Sequence, residues 1–278
     1  MSERRADEAT DVLRHYEPEP LKERLLEAVA AAGIGPSATP EELAAWDQFH
    51  LGGLPATAEL AEALAPAPGD HVLDLGSGLG GPARLLAARH GCRVTGIDLS
   101  GEFVDSANAL SELAGMPDQV HCVRGDVTAV PFDDASFDHA WTIHVAMNVA
   151  DRPAFYREAR RVLKPGGRFA IYDVVEGDGE ALTFPVPWAT DPSTSHLVNA
   201  AATRALLADA GFEEVSFEDR TEATRGWLGP LAERPPQPGG APAGLAVAMG
   251  PRFAEMTVNL ARNLVAGRVG VVRTVVCC

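Results

Sequence analysis

Through the middle of the chain, short apolar runs alternate with segments whose apolar residues recur at helical spacing. His71 to Leu75 is a compact apolar run that stops at glycine, the pattern of a buried strand. Pro82 to His90 follows as a helix, with Pro82 suited to its first turn. Cys92 to Ile97 reads as the next strand, and Ser100 can cap a helix that runs to about Ala114. Val120 to Val123 and Phe137 to His144 read as the third and fourth strands. Asp151 caps a helix to Leu163, and the turn Lys164-Pro-Gly-Gly167 leads into a fifth strand, Arg168 to Val175. A helix from Asn199 to Ala210, ended by Gly211, precedes a strand over Phe212 to Glu218. Arg268 to Val276, rich in β-branched residues, is the last strand expected.

Strand and helix alternating through short connections predict an α/β fold, its mostly parallel sheet covered on both faces. Such a sheet receives ligands outside the carboxyl ends of its strands, which singles out the loops after Leu75, Ile97, Gly125 and Val145. Two regions leave this rhythm. Residues 1–68 are helical in pattern, interrupted at 33–40 and closed by Pro66 and Pro68. Residues 176–198 read as a loop across the sheet, and 221–265 as two helical stretches around a proline–glycine breaker at 235–240. The expected organisation is therefore a helical cap at 1–68 and a main unit at 69–278, with covering insertions at 176–198 and 221–265.

Composition adds little to this picture but charge adds something. Of 278 residues, 46% are apolar and 22% charged, as in ordinary globular proteins. The formal charge of −16 disfavours nucleic acid and anionic membrane surfaces as partners, since both need clustered Lys and Arg. The charged opening from Ser2 to Asp11 lacks a leader pattern, and no apolar stretch reaches membrane-spanning length, so a cytoplasmic protein is expected. Cys92 and Cys122 sit in strand-like runs and read as buried thiols. None of the four cysteines has metal-site spacing, and no metal is expected.

The richest chemistry lies at Val72-Leu-Asp74-Leu-Gly76-Ser77-Gly78-Leu-Gly80-Gly81. Glycines after a buried strand let backbone N–H groups approach a ligand with no Cβ in the way. Gly76, Gly78 and Gly81 also satisfy the dinucleotide spacing, and Asp98 at the next strand end could hold the ribose hydroxyls of NAD or of an adenosyl group. Asp74 separates the two possibilities, because an acid there suits a cationic amino group and repels a pyrophosphate. Gly125-Asp126-Val127 adds a carboxylate able to accept an exocyclic adenine N–H beside an apolar wall.

Asp-Leu-Gly-Ser-Gly-Leu-Gly at 74–80, Gly-Ile-Asp98-Leu99-Ser, Gly-Asp126-Val127 and Arg-Val-Leu-Lys-Pro-Gly-Gly at 161–167 together resemble the class I S-adenosylmethionine-dependent methyltransferases. That resemblance implies a Rossmann-like, doubly wound sheet of seven strands and S-adenosylmethionine as cofactor. It implies a glycine loop over Gly76, Ser77 and Gly78 facing the methionyl part, Asp98 and Leu99 at the ribose, and Asp126 and Val127 at the adenine. Trp46-Asp-Gln48-Phe49-His50-Leu-Gly52-Gly53 is similar to the segment preceding the sheet in sarcosine/dimethylglycine and tocopherol-type methyltransferases. Gln48, His50 and Gly53 thereby become candidate cofactor contacts, and 1–68 a cap over the cofactor.

For the acceptor, related enzymes often end the fourth strand in His-x-x-Asp, where this chain has Asn148-Val-Ala-Asp151. His144, one turn earlier, can replace the missing group as base or as donor to the cofactor. Phe49, Met147, Asn148, Asp173, Trp188, Ser195, His196 and Trp227 are the candidate acceptor contacts. Two tryptophans with a carboxylate could receive a cationic amine, in line with the sarcosine/dimethylglycine resemblance, and the same aromatics could pack a wholly hydrophobic acceptor such as a terpenoid or polyketide. The expected function is methyl transfer to nitrogen, oxygen or carbon of a small molecule, in natural-product metabolism, by a monomer or homodimer. The alternative is a cofactor-holding protein that steers a cyclisation or rearrangement without methyl transfer.

Overall fold

The computed structural model describes residues 20–234 and 243–278. Its elements in chain order are α1 (Leu21–Ala31), α2 (Pro40–Asp47), α3 (Gly53–Leu64), β1 (His71–Leu75), α4 (Gly81–His90), β2 (Arg93–Asp98), α5 (Gly101–Leu113), β3 (Val120–Arg124) and β4 (Phe137–Ile143). There follow α6 (Arg152–Val162), β5 (Leu163–Glu176), α7 (Ala200–Asp209), β6 (Glu213–Asp219), α8 (Thr221–Leu228), α9 (Ala243–Met249), α10 (Phe253–Val265) and β7 (Val269–Cys277). The first nineteen residues of the expected cap and the breaker at 235–240 lie outside the described residues.

One sheet of seven strands runs β3-β2-β1-β4-β5-β7-β6. The first five are parallel, with β1 central between β2 and β4. The last strand, β7, inserts antiparallel between β5 and β6, a placement that strand pattern alone does not reveal. Two apolar layers cover the sheet, and successive strand residues alternate between them as the pleat requires. Val72, Trp141, Ala170 and Tyr172 face the layer of α3, α4 and α10. Leu73, Ala140, Phe169 and Ile171 face that of α6 and α7. Cys92 and Cys122 are buried and unpaired.

Side chains capture the backbone at the helix starts, at Ser100 and Asp151 as expected and also at Asn199, which reads in the sequence as the first residue of its helix. Ser100 accepts from Phe103 N, Asp151 from Ala154 N and Asn199 from Ala202 N. Each satisfies an N–H that a helix leaves orphaned at its start. The same logic gives α2 a full capping box, with Thr39 and Glu42 exchanging bonds.

A third apolar cluster joins α1 and α2 to α5 and α9 through Leu21, Leu25, Leu43, Trp46, Phe103 and Ala248. The N-terminal helices and the later insertion therefore pack together over the carboxyl ends of the strands. Arg24 strengthens this union by donating to the Val247 carbonyl at 2.8 Å.

Candidate functional site

Four adjacent strands bring their carboxyl ends to one cavity of about 1120 Å³. Asp98 ends β2, Asp74 is the penultimate residue of β1, His144 follows β4, and Asp126 lies just past β3. All four side chains line the cavity, together with Gly76, Ser77, Gly78, Leu99 and Val127. The roof contributes Gln48, Phe49, His50 and Gly53.

The glycine loop is shaped by close approach. Gly76 has φ +81°, and a Cβ there would run into the Val145 side chain. At Gly78, φ is +52°, and a Cβ would meet the Phe49 ring at 2.8 Å. Only glycine fits both the left-handed backbone and the crowding. Gly76 and Ser77 both donate to the Ile97 carbonyl, at 2.8 and 3.0 Å, which pins the loop to the end of β2.

Asp98 completes that tie. One carboxylate oxygen accepts from Gly78 N at 2.8 Å and the other from Ser100 N at 3.0 Å. Burial nonetheless raises its pKa, against the pull of those backbone donors. Each oxygen keeps a lone pair for a ligand. Asp74 is buried, and its Oδ2 has no partner among the described residues. Burial pushes its pKa up to about 7, with Trp141 opposing and the Asp98 charge adding to the rise. Asp126 spends one oxygen on the Thr128 N–H and hydroxyl, both at 2.8 Å, and retains the other.

Two histidines stand where the roof meets the sheet. His50 Nε2 lies 3.1 Å from the Gly53 carbonyl, which can only accept, so that nitrogen carries the proton. Thr57 lies beside it at 2.9 Å and donates onward to Gln48 Oε1 at 2.7 Å. Gln48 Nε2 is left buried without a partner. His144 accepts the Leu51 N–H on Nδ1 at 3.4 Å, which assigns its proton to Nε2. His144 Nε2 is buried with no partner among the described residues, so its N–H is open to a ligand. Its ring stacks on Tyr172 at 5.3 Å and meets His50 edge-on at 5.9 Å. Burial holds its pKa well below the ordinary value, helped by His50, and burial lowers His50 to about 4. Both rings are therefore neutral at pH 7. His144 also has φ +53°, a left-handed conformation that costs a non-glycine residue about 1–3 kcal/mol and tends to mark sites rather than scaffolds.

Of the expected acceptor contacts, Phe49, Met147, Asn148, Trp188 and Trp227 line the cavity, and Asp173, Ser195 and His196 do not. Asp173 is buried with its carboxylate turned to backbone, accepting from Ala146 N at 3.0 Å and Val174 N at 2.9 Å. Ser195 accepts from the Trp188 indole, and His196 fixes the loop through its backbone, donating to Met147 O and accepting from Arg152. Asn148 lines the cavity yet has structural work, donating to Trp188 O at 2.7 Å and Thr194 O at 3.2 Å. Asn148→Ala is expected to cost about 1–3 kcal/mol, because two inward carbonyls lose their donor. Urea unfolding followed by tryptophan fluorescence reads this, and an unmoved midpoint would contradict it.

The pattern of residues did not point to Asp47 and Arg84. They form an ion pair at 2.7 Å with neither side chain exposed. Arg84 also donates to Leu79 O, Ala107 O and Ser111, so it links α2, the glycine loop and α5. Burial lifts the Asp47 pKa to about 6, although Arg84 pulls it down.

Comparisons with known proteins agree with this geometry. Residues 73–171 match a family model described as a methyltransferase domain. The chain is 35% identical over 156 residues to a sarcosine/dimethylglycine N-methyltransferase of Halorhodospira halochloris, covering 55% of each chain. It is 31% identical to an O-methyltransferase of Pyrenophora dematioidea, covering 66% of this chain and 69% of that one. Among solved structures, the (4+2)-cyclase SpnF superposes with a TM-score of 0.67 at 25% identity, covering 92% of this chain and 93% of that one. The chain spans about half the length of the first curated relatives it matches.

Proposed function

The chain belongs to the S-adenosylmethionine-dependent methyltransferase family, and on that premise we propose that it holds this cofactor in the cavity and transfers its methyl group to a small-molecule acceptor. One observation carries the reading: three carboxylates from adjacent strand ends, at 74, 98 and 126, meet on one wall beside the glycine loop. The residues fit the cofactor group by group. Asp98 offers a lone pair on each oxygen to a pair of ribose hydroxyls. The unpartnered Asp74 oxygen suits the methionyl ammonium, and the unpartnered Gln48 amide N–H suits its carboxylate. Asp126 and Val127 suit the polar edge and the flat face of an adenine.

When bound, the cofactor supplies a methyl carried on positively charged sulfur. The protein's own part is to bind, orient and exclude water. In-line displacement needs the acceptor atom about 3–3.5 Å from the methyl carbon, and holding it there supplies much of the rate. His144 Nε2–H donates at the junction of cofactor and acceptor. We read residues 1–68 as the cap over this compartment and 69–278 as the catalytic unit, with 176–198 and 221–265 covering the acceptor. A role in natural-product metabolism, in the cytoplasm and as monomer or homodimer, is part of the same proposal. The charge of −16 supports a partner other than nucleic acid, and among the described residues no helix is long and apolar enough to cross a membrane.

Calorimetric titration with S-adenosylhomocysteine and with NADH tests the reading. Binding of the first alone supports it, and binding of NADH alone overturns it. The pH dependence of that titration is a further expected result. Asp74 titrates near 7 in the free protein, so below that pH it is protonated and cannot pair with an ammonium. Affinity should therefore fall by up to about tenfold per pH unit as pH drops below 7. Asp74→Asn should flatten the slope while weakening binding at neutral pH, and a slope unchanged in that variant would contradict the assignment.

A second reading is favoured by one observation, the match to the (4+2)-cyclase along nearly the whole chain. A protein of this kind would hold the cofactor and steer a ring closure. Mass spectrometry of product formed with donor and acceptor separates the two: product without the mass of an added methyl group would establish the cyclase reading.

A further inference from the structure

The cavity has two unlike halves. Every carboxylate on its lining comes from residues before position 152. Asp74, Asp98 and Asp126 face the cofactor compartment proposed above, Asp47 is paired with Arg84, and Asp151 caps α6 through Ala154 N at 3.0 Å. Beyond position 176 the lining is Trp188, Trp227, Leu, Pro, Met, Phe and Val side chains. Among the described residues of that half the sole charged side chain is Arg234 and the sole hydroxyl is Thr257. Even that hydroxyl is occupied, donating to the Phe253 carbonyl at 2.8 Å. The Trp188 indole N–H is likewise bound, to Ser195 at 3.0 Å.

We infer that the acceptor is a bulky, uncharged, lipophilic molecule, a cyclic or folded hydrocarbon skeleton carrying few polar groups. The inference rests on the cofactor reading above for the direction of transfer, but its physical basis is the second half of the cavity. An amine acceptor that is cationic in water would enter a region where the described residues place no carboxylate to meet it. The acid that could have served, Asp173, is sealed against Ala146 N and Val174 N, and the one charged side chain among the described residues of that half, Arg234, is positive. Burying an unpaired ammonium there is strongly unfavourable, whereas each apolar group buried is favoured.

Size argues the same way. A site for one drug-sized ligand occupies roughly 300–1,000 Å³, and this cavity of about 1120 Å³ lies above that range, as a compartment shared by cofactor and acceptor requires. Trp227 supports an apolar occupant arriving from outside. It lines the cavity, is 59% exposed, and sits at the end of α8, where an acceptor would cover it.

The experiment compares two ligands of one skeleton, cyclododecanol and cyclododecylamine, by calorimetry at pH 7 on protein saturated with S-adenosylhomocysteine. The alcohol is expected to bind at least tenfold more tightly than the ammonium. Thr257→Asp, which places a carboxylate on the apolar wall, is expected to narrow or invert that ratio, and Thr257→Val to preserve it. Circular dichroism checks that both variants fold. Equal or tighter binding of the amine by the native chain overturns the inference, and so does failure of both ligands to bind. The comparison is repeated without S-adenosylhomocysteine. A protein that ignores that compound yet prefers the alcohol has lost the cofactor reading and kept this one.

Discussion

Asp98→Ala is expected to weaken S-adenosylhomocysteine binding by about 2–4 kcal/mol, roughly 30- to 1,000-fold. The size follows from two losses at one residue. The variant removes both acceptors for a ribose diol, and it frees the N–H groups of Gly78 and Ser100 that Asp98 holds at 2.8 and 3.0 Å. The first loss acts on affinity directly. The second lets the glycine loop relax from the shape that Gly76 and Gly78 impose. Asp98→Asn separates them, since the amide still accepts one backbone bond but has no charge, and its loss should be intermediate. Titration calorimetry on all three proteins reads the series. Native affinity in Asp98→Ala would show that this carboxylate grips nothing.

The second large effect is on stability. Asp47→Ala should destabilise the fold by about 3–5 kcal/mol, because it leaves the Arg84 guanidinium buried without a counter-charge. Arg84 keeps its bonds to Leu79 O, Ala107 O and Ser111, but these neutral partners cannot replace a carboxylate. The double variant Asp47→Leu with Arg84→Met should recover most of the loss, since a buried pair is often no better than apolar groups of similar volume. Urea unfolding measures all three. A single-variant loss below about 1 kcal/mol would mean that water reaches Arg84 once Asp47 is gone. Because the pair joins α2 to the Leu79 turn, cofactor affinity should fall in the single variant as well.

The strands and caps were legible in the sequence because they follow from local chemistry. An apolar run bounded by glycine reads as buried strand wherever it falls, and Ser100 and Asp151 cap the helices that follow them for reasons contained within four residues. The meeting of Asp74, Asp98 and Asp126 on one cavity was legible for a similar reason: they lie at or just past strand ends, and parallel strands align their ends. The acceptor side was not. Asp173 lies on β5 near the cavity, yet its carboxylate is taken by the turn that starts at Ala146, a contact fixed by tertiary packing. Ser195 and His196 belong to an irregular loop whose path depends on Asn148, Arg152 and Trp188. Asp47 and Arg84 are far apart in sequence with no spacing to announce them, and a buried ion pair leaves no periodic trace. Insertion of β7 between β5 and β6 is likewise a choice among topologies that strand pattern leaves open.

These gaps bear on function. With Asp173 withdrawn, the expected pairing of aromatics with an acid that would suit a cationic amine loses its acid. The tautomers sharpen the picture further. Both neutral rings carry the proton on Nε2, but His50 directs it to the Gly53 carbonyl while that of His144 has no partner among the described residues.

A crystal structure with S-adenosylhomocysteine tests the central claim most directly. The ribose hydroxyls should lie within hydrogen-bond distance of Asp98, the amino group of the amino-acid portion beside Asp74, and the adenine against Val127 with its exocyclic nitrogen toward Asp126. Electron density for the ligand elsewhere, or in the cavity with these three carboxylates untouched, would contradict the account.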